Sequence, residues 1–290
     1  MRKFACAAAL LLLVAFLLHT PARADEDRPA KSYTWKKAYL NLGYYFATLD
    51  SSFRFGDQNL GLGIEVDVES LLGLNTTENT FRIEGGFRFG KSQRHQVQFG
   101  WFQFHRGGET VLSNEIEIPE TPEGDGGGSI GPGQLESVFN FDIIEVRYDY
   151  SFVFDERVDL NLGIGLFIMP IEFGYTGTIN GIGQSTVKES ITAPLPVVGL
   201  GFDFAISPEW YIRQQVELFY LEIDNYEGGV ANLTFALEYL PWKHVGFGAG
   251  LNWMQVFIEA TTETDVPGVD FIGNVEFSYL GAMVYLKFFM

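Results

Sequence analysis

The sequence predicts an all-β chain, a single closed antiparallel barrel that crosses a membrane on about twelve strands, with about ten as the alternative. Three observations carry that prediction. Apolar and polar residues alternate in one stretch after another beyond residue 37. No run in residues 25–290 is long and apolar enough for a membrane helix, although 47% of the chain is hydrophobic and 16% aromatic. Short turns and longer connectors follow each other along the chain.

Residues 1–24 read as a cleaved signal peptide. Arg2 and Lys3 make a basic start, Phe4 to Leu18 is an apolar run, and Ala22-Arg23-Ala24 is a small-x-small cleavage site. Fifteen helical residues reach only about 22 Å, short of a bilayer core of roughly 30 Å. Residues 25–36 then form a short polar lead-in and residues 37–290 one domain. Cys6, the one cysteine, falls in the leader, so the expected mature chain has no disulfide, thiolate metal site or thiol nucleophile. Without Arg2, Lys3 and Arg23 it carries 16 basic residues against 37 acidic ones, a net charge of −21. Such a surface repels nucleic acid, and its acidity serves the solubility of loops and turns.

The alternation is cleanest in Val158, Leu160, Leu162, Ile164, Leu166 and Ile168, separated by Asp159, Asn161, Gly163 and Gly165, then Phe167. A strand sends successive side chains to opposite faces, so this segment has one greasy face and one polar or small face. Leu60, Leu62, Ile64, Val66 and Val68 alternate with Gly61, Gly63, Glu65, Asp67 and Glu69. Phe81, Ile83, Phe87 and Phe89 alternate with Arg82, Glu84, Gly86 and Arg88, and Ile144 to Phe152 with Glu145, Arg147, Asp149 and Ser151. Similar runs cover residues 38–48, 94–106, 191–206, 209–222, 229–240, 243–258 and 274–289. In the run from Arg94, Phe102 and Phe104 fall on the opposite parity from Phe99 and Trp101, which a β-bulge would reconcile.

Four connections are very short: Gly90–Gln93, Phe154–Glu156, Ser207-Pro208 and Pro241–Lys243. Each joins two strands in a hairpin. Longer connectors lie at about 107–137, 174–190, 223–228 and 259–273. Splitting the first stretch at Asp50-Ser51 adds a strand near 51–57 and brings the count to about twelve, with both ends on the short-turn rim. Ten strands result if residues 38–57 form one bent strand or sit outside the barrel.

A soluble β-protein would alternate too, with its greasy face inward. Position along the strands decides for lipid. Aromatics collect near the short-turn rim (Phe87, Phe89, Tyr148 to Phe152, Phe202, Phe204, Trp210, Tyr239, Phe247, Phe288) and aliphatics fill the strand middles. That is an aromatic girdle on an aliphatic band.

From about Tyr39 to Met290 the chain resembles the outer-membrane β-barrel superfamily of Gram-negative bacteria. The segment Gly61 to Leu74, followed by Phe81-Arg82-Ile83-Glu84 and Arg94-His95, is similar to an opening hairpin of uncharacterised members. The resemblance implies an outer-membrane location and short periplasmic turns with longer extracellular loops. It also implies contact with outer-membrane lipid and lipopolysaccharide, insertion by the barrel-insertion machinery, and a monomer. These proteins commonly end in Phe, whereas this chain ends Phe288-Phe289-Met290.

With the greasy set toward lipid, the other set lines the lumen. The candidate lumen charges are Glu65, Asp67, Glu69, Arg82, Glu84, Arg88, Glu145, Arg147, Asp149, Asp159, Asp203, Arg213, Glu217, Glu238 and Lys287. Charges inside a barrel need water or each other, so the lumen is either filled by ion pairs or a narrow pore that weakly favours cations. Inward glycines (Gly163, Gly165, Gly199, Gly201, Gly246, Gly248, Gly250) make one wall bare, to accommodate facing side chains or to leave a solute path. Acidic residues in the 107–137 connector match no defined calcium loop, and neither a metal nor a cofactor is expected. Among three mature histidines only His105 lies at an outer strand end, without a serine or a second histidine beside it in sequence. The leading functional expectation is therefore a structural or small-solute channel barrel. The alternatives are a surface interaction module acting through the 107–137 loop and, more remotely, an enzyme of envelope lipid or peptide at His105.

Overall fold

The computed structural model of the chain describes residues 35–55, 64–67, 69, 73–112, 116–118, 128–130, 133–178, 184–223, 226–260 and 273–290. The expected leader and most of the lead-in lie outside these residues. The strands are β1 (Ala38–Phe55), β2 (Ile64–Asp67), β3 (Thr77–Phe89), β4 (His95–Leu112), β5 (Ile116–Ile118), β6 (Gly128–Ile130), β7 (Gly133–Phe154), β8 (Val158–Thr178), β9 (Gln184–Ala205), β10 (Trp210–Ile223), β11 (Tyr226–Tyr239), β12 (Val245–Ala260) and β13 (Gly273–Phe289). Ten of them form an antiparallel ring, β1-β3-β4-β7-β8-β9-β10-β11-β12-β13, which closes because β13 pairs with β1.

The twelve-strand expectation is corrected to ten, the alternative. Asp50-Ser51 is not a turn: β1 keeps one register against β13 from Tyr39↔Phe289 to Arg54↔Asn274. Asp50 is exposed and Ser51 buried in the ordinary alternation, so the polar residues mark where the strand leaves lipid rather than where it bends. The alternating run 60–69 supplies no stave either. Among its described residues Ile64–Asp67 form a strand, which pairs with the outer end of β1. β5 and β6 form a separate two-stranded sheet in the 107–137 connector.

The bulge expected near Phe102 is absent. β4 runs in unbroken register against β7 from His95↔Tyr150 to Leu112↔Gly133, and Phe102 and Phe104 point into the barrel, 2% and 1% exposed. The register shift lies elsewhere, at Ser151/Val153 between β7 and β8.

The outer face shows where lipid lies. On β13 the outward residues Phe288, Leu286, Val284, Ala282 and Leu280 are apolar, and Ser278 begins the polar set. Eight residue steps make about 27 Å of strand at ~3.4 Å each, or about 20 Å of height at a tilt of about 40°. The same upper boundary falls at Thr48, Asn79, Gln103, Asp142, Thr192 and Gln255 on other strands. Phe87, Phe89, Tyr148, Tyr150, Phe152, Trp210, Phe247 and Phe288 are exposed at the lower end. Above the boundary β7, β8 and β9 continue to lengths of 22, 21 and 22 residues, while β10 and β11 stop at 14 each.

Tyrosines lock neighbouring strands where glycines make room. A side chain at Gly281 on β13 would strike the ring of Tyr45 on β1, whose hydroxyl is fixed on Asn252 Oδ1 at 3.2 Å. Gly281→Val is therefore expected to cost about 1–3 kcal/mol by overpacking. Gly107→Ala, whose new Cβ meets nothing nearer than 3.8 Å, is expected to leave the urea midpoint of the bilayer-inserted protein unchanged.

Candidate functional site: the barrel interior

The inward residues of ten strands meet inside the ring, and they sort by height. Toward the short-turn rim they are polar and charged; toward the outer rim they are apolar. Both sets are buried.

In the lower half the charges pair across the lumen. Arg88 on β3 binds Asp159 on β8 and donates to Ser151 Oγ at 3.2 Å. Lys287 donates to both carboxylate oxygens of Glu238 at 2.7 Å, with Tyr285 Oη on the same group at 2.8 Å. Arg213 lies 3.5 Å from Asp203 and 4.6 Å from the centre of the Tyr39 ring. Tyr39 Oη donates to Gln98, Gln98 to Asp149 and Arg147 Nε to Asp149, at 2.5, 2.8 and 3.0 Å. The network continues through Arg147 to Glu217 at 3.3 Å, from Asn232 to Glu217 at 2.7 Å, and from Asn252 to Asn232 at 2.7 Å. Arg82 closes it, donating to Asn252 Oδ1 at 3.1 Å and to Glu84 at 2.6 Å, with Asn41 on the far oxygen of Glu84. Glu145 accepts from Gln215 at 3.3 Å.

Glycines make these long bridges possible. Arg147 on β7 reaches Glu217 on β10 by crossing β8 and β9, where Gly165 and Gly199 lie under it. A Cβ on Gly165 would sit 3.2 Å from Arg147 Cγ, and one on Gly199 would sit 3.2 Å from both Arg147 Nη1 and Glu217 Cγ. Gly163 makes room for the Asp149 carboxylate and Gly201 for Asn161. The glycine wall is occupied by facing side chains.

In the upper half the rings of opposite walls touch. Phe141 on β7 meets Phe277 on β13 edge-on at 4.6 Å, Phe104 meets Phe141 at 5.1 Å and Tyr279 at 5.5 Å. Tyr45, Phe102, Phe139, Phe167, Met169, Leu195, Val197, Met254 and Val256 complete the layer. Above it Arg106, fully buried, binds Glu69 at 2.5 Å and Ser51 Oγ at 3.1 Å and lies over the Phe139 ring at 4.9 Å. A cavity of about 30 Å³ lies by Trp35, Arg88 and Lys287, and another of the same size by Arg82, Glu145 and Gln215. Each holds about one or two waters.

Of the charges expected in the lumen, the thirteen from Glu69 to Lys287 stand among these groups. Glu65 and Asp67 belong to β2, whose backbone pairs with the outer end of β1 and is not one of the ten staves. Arg106, Asn232, Asn252 and the whole aromatic layer were not anticipated. The signal for the layer is the change in the inward set along one strand, from Asp159, Asn161, Gly163 and Gly165 to Phe167 and Met169. His105 points outward at the upper end of the lipid belt, its Nε2 3.8 Å from Asp142.

Arg147→Met is expected to destabilise by about 3–5 kcal/mol, because Glu217 and Asp149 keep their buried charge without their guanidinium. Adding Glu217→Leu is expected to recover part of that loss. A double-mutant cycle on urea unfolding in vesicles checks both; additivity of the two changes removes the proposed coupling.

The family model for the outer membrane protein beta-barrel domain matches residues 8–239. None of the curated proteins matches in sequence. Among solved structures the chain is similar to the outer membrane protease OmpT from Escherichia coli, at a TM-score of 0.54 and 8% identity, over 90% of this chain and 99% of that one. It also matches Ail, the attachment invasion locus protein of Yersinia pestis, at 0.34 and 11% identity over 86% and 99%. The P. putida toluene transporter TodX matches at 0.34 and 8% over 89% and 91%. At such identities the likeness concerns fold alone, and only the OmpT score is high enough to support it. Together with the lipid belt and the closed ring, the family match makes this chain a bacterial outer-membrane protein and a member of the outer membrane protein β-barrel domain family.

Proposed function

We propose that this protein is a non-conducting structural barrel of the outer membrane that holds a tall strand assembly at the cell surface for interaction with partners. One observation supports the reading: the rings of Phe104, Phe141, Phe277 and Tyr279 from facing walls touch across the upper lumen. The acidic excess of the lumen, which favoured cations on paper, is largely engaged with Arg82, Arg88, Arg106, Arg147, Arg213 and Lys287. A small-solute channel is therefore the weaker reading.

The tall assembly is β4-β7-β8-β9. From Asp142 at the edge of the belt to Gly133, β7 rises nine residues, about 30 Å of strand, above the lipid. The 107–137 connector extends from this blade, which makes it the element best placed for a surface partner. In this reading the chain is a monomer among outer-membrane lipid and lipopolysaccharide, delivered by the insertion machinery. Neither His105 nor any other residue acts as a catalyst.

Refolded protein in planar bilayers is expected to show no stepwise conductance. Replacing Phe104, Phe141 and Phe277 together by Ala is expected to produce it, since the lower half already carries water-sized cavities. Steady ion steps from the unaltered protein return the reading to a channel. Removing residues 113–132 is expected to abolish surface binding while the barrel still folds. Undiminished binding eliminates the connector as the interaction element.

A further inference from the structure

The barrel wall is parted at one place inside the lipid belt. β9 and β10 pair from Ala205↔Tyr211 to Val198↔Leu218. β9 then continues to Gln184 and β10 to Ile223 without another rung between them, although all these residues are described. The cause is in the sequence. At the turn, Ala205 N–H donates to Arg157 O on the β8 side, and Ile206 N–H to Trp210 O on the β10 side. Main-chain direction alternates along a strand, so the even-numbered residues of β9 face β10. The next two after Val198 are Pro196 and Pro194, which have no N–H. Two rungs lose half of their hydrogen bonds, and the strands separate.

The height of the parting is set by the outward residues. Pro194 and Pro196 are exposed and lie just below Thr192, where the belt ends; on β10 the matching outward residue is Tyr220, 53% exposed, below Glu222. The even-numbered residues of β10 face β9, as Trp210 does at the turn. Tyr220 therefore turns its N–H and C=O into the gap, at the level where lipid chains join their head groups. Leu195 and Val197 from β9 and Phe219 from β10 face inward behind it, packed on the apolar upper half of the lumen. The other parting, between β3 and β4 above Arg82↔Phe102, starts at the edge of the belt and holds a bridge of its own, Leu74↔Gly108.

A backbone amide exposed at the edge of hydrocarbon needs a partner. Water is scarce there, and the molecule present in quantity is lipid, whose ester or amide sits at that depth above an alkyl tail. We propose that the β9–β10 seam is a lateral binding slot for the acyl chain of an outer-leaflet lipid. The carbonyl at the chain's head accepts from Tyr220 N–H, and the tail lies against Val197 and Phe219.

The full chain is reconstituted in phosphatidylcholine vesicles that contain a phospholipid with a diazirine in its acyl chain, then irradiated, and labelled peptides are identified by mass spectrometry. Val197 and Phe219 are expected to be labelled several-fold above Met254 and Tyr279, which also face inward but on fully paired strands. In Pro194→Thr/Pro196→Val, which restores both donors, that labelling is expected to be lost while Val284 on the lipid face keeps its own. Equal labelling of the four inward residues in the unaltered protein overturns the slot, whether or not the double variant folds. Seam labelling that survives the double substitution overturns the role of the prolines and with it the proposal.

Discussion

Everything in this structure depends on the closure of β13 onto β1. A strand in lipid has no water for its N–H and C=O groups, so an open edge costs several kcal/mol for each group left unpaired. Sixteen residue pairs between β1 and β13 remove that edge. The chain ends tighten it, with Lys37 N–H donating to Met290 O at 2.9 Å and Met290 N–H to Ala38 O at 3.0 Å. Once the ring is closed, strand alternation becomes a division between two solvents. The same two-residue period that sends Leu286 to lipid sends Tyr285 and Lys287 inward.

What fills the inside follows from the size of the ring. Ten strands leave a lumen narrow enough for side chains of facing walls to meet, and two chemistries share it. Near the short turns the inward residues are long and charged, and each base finds an acid on its own strand or on one up to three places away around the ring. Arg147 can do so only because β8 and β9 present glycines beneath it. Farther out the inward residues are aromatic, and their rings touch without help. The polar half specifies which side chains face each other, since a misplaced buried charge is costly. The apolar half is sealed by shape.

The architecture was largely legible in the sequence because its signal is local. A stave inside lipid must keep its outward parity apolar, and residues 144–152, 158–168 and 280–288 do so at every outward position. The strand count was less legible, because alternation marks a strand without saying what it pairs with. The run from Leu60 alternates well, yet Ile64–Asp67 is only a short strand against the outer end of β1. Phe102 and Phe104 are illegible for a related reason: an aromatic suits the lipid face and the apolar upper lumen equally, so its parity alone does not tell a bulge from an inward ring. The charged half of the interior was legible residue by residue, since Arg or Glu on the inward parity has nowhere else to go. The pairing of Arg147 with Glu217, 70 positions away, was not, because it follows from ring geometry and not from spacing along the chain.

The two interruptions of the wall clarify why the ion pairs stand where they do. Backbone pairing lapses above Arg82↔Phe102 and above Val198↔Leu218, on either side of β4-β7-β8-β9. In its outer half the barrel is therefore two sheets, and hydrogen bonds between strands cannot hold them together there. Side chains do. Arg106 on β4 binds Glu69 and Ser51 on the other side of the first gap, and below it Arg88 on β3 binds Asp159 on β8. Arg147 on β7 binds Glu217 on β10 just below the second, where Glu217 still pairs with Gly199 on β9. A buried arginine and a carboxylate thus cross the first gap, and another such pair stands at the foot of the second. A charge pair in the interior is a poor source of stability when hydrophobic packing could replace it. Here it adds a directed tie to the ring contacts, such as Phe141 on Phe277, that already join the two sheets.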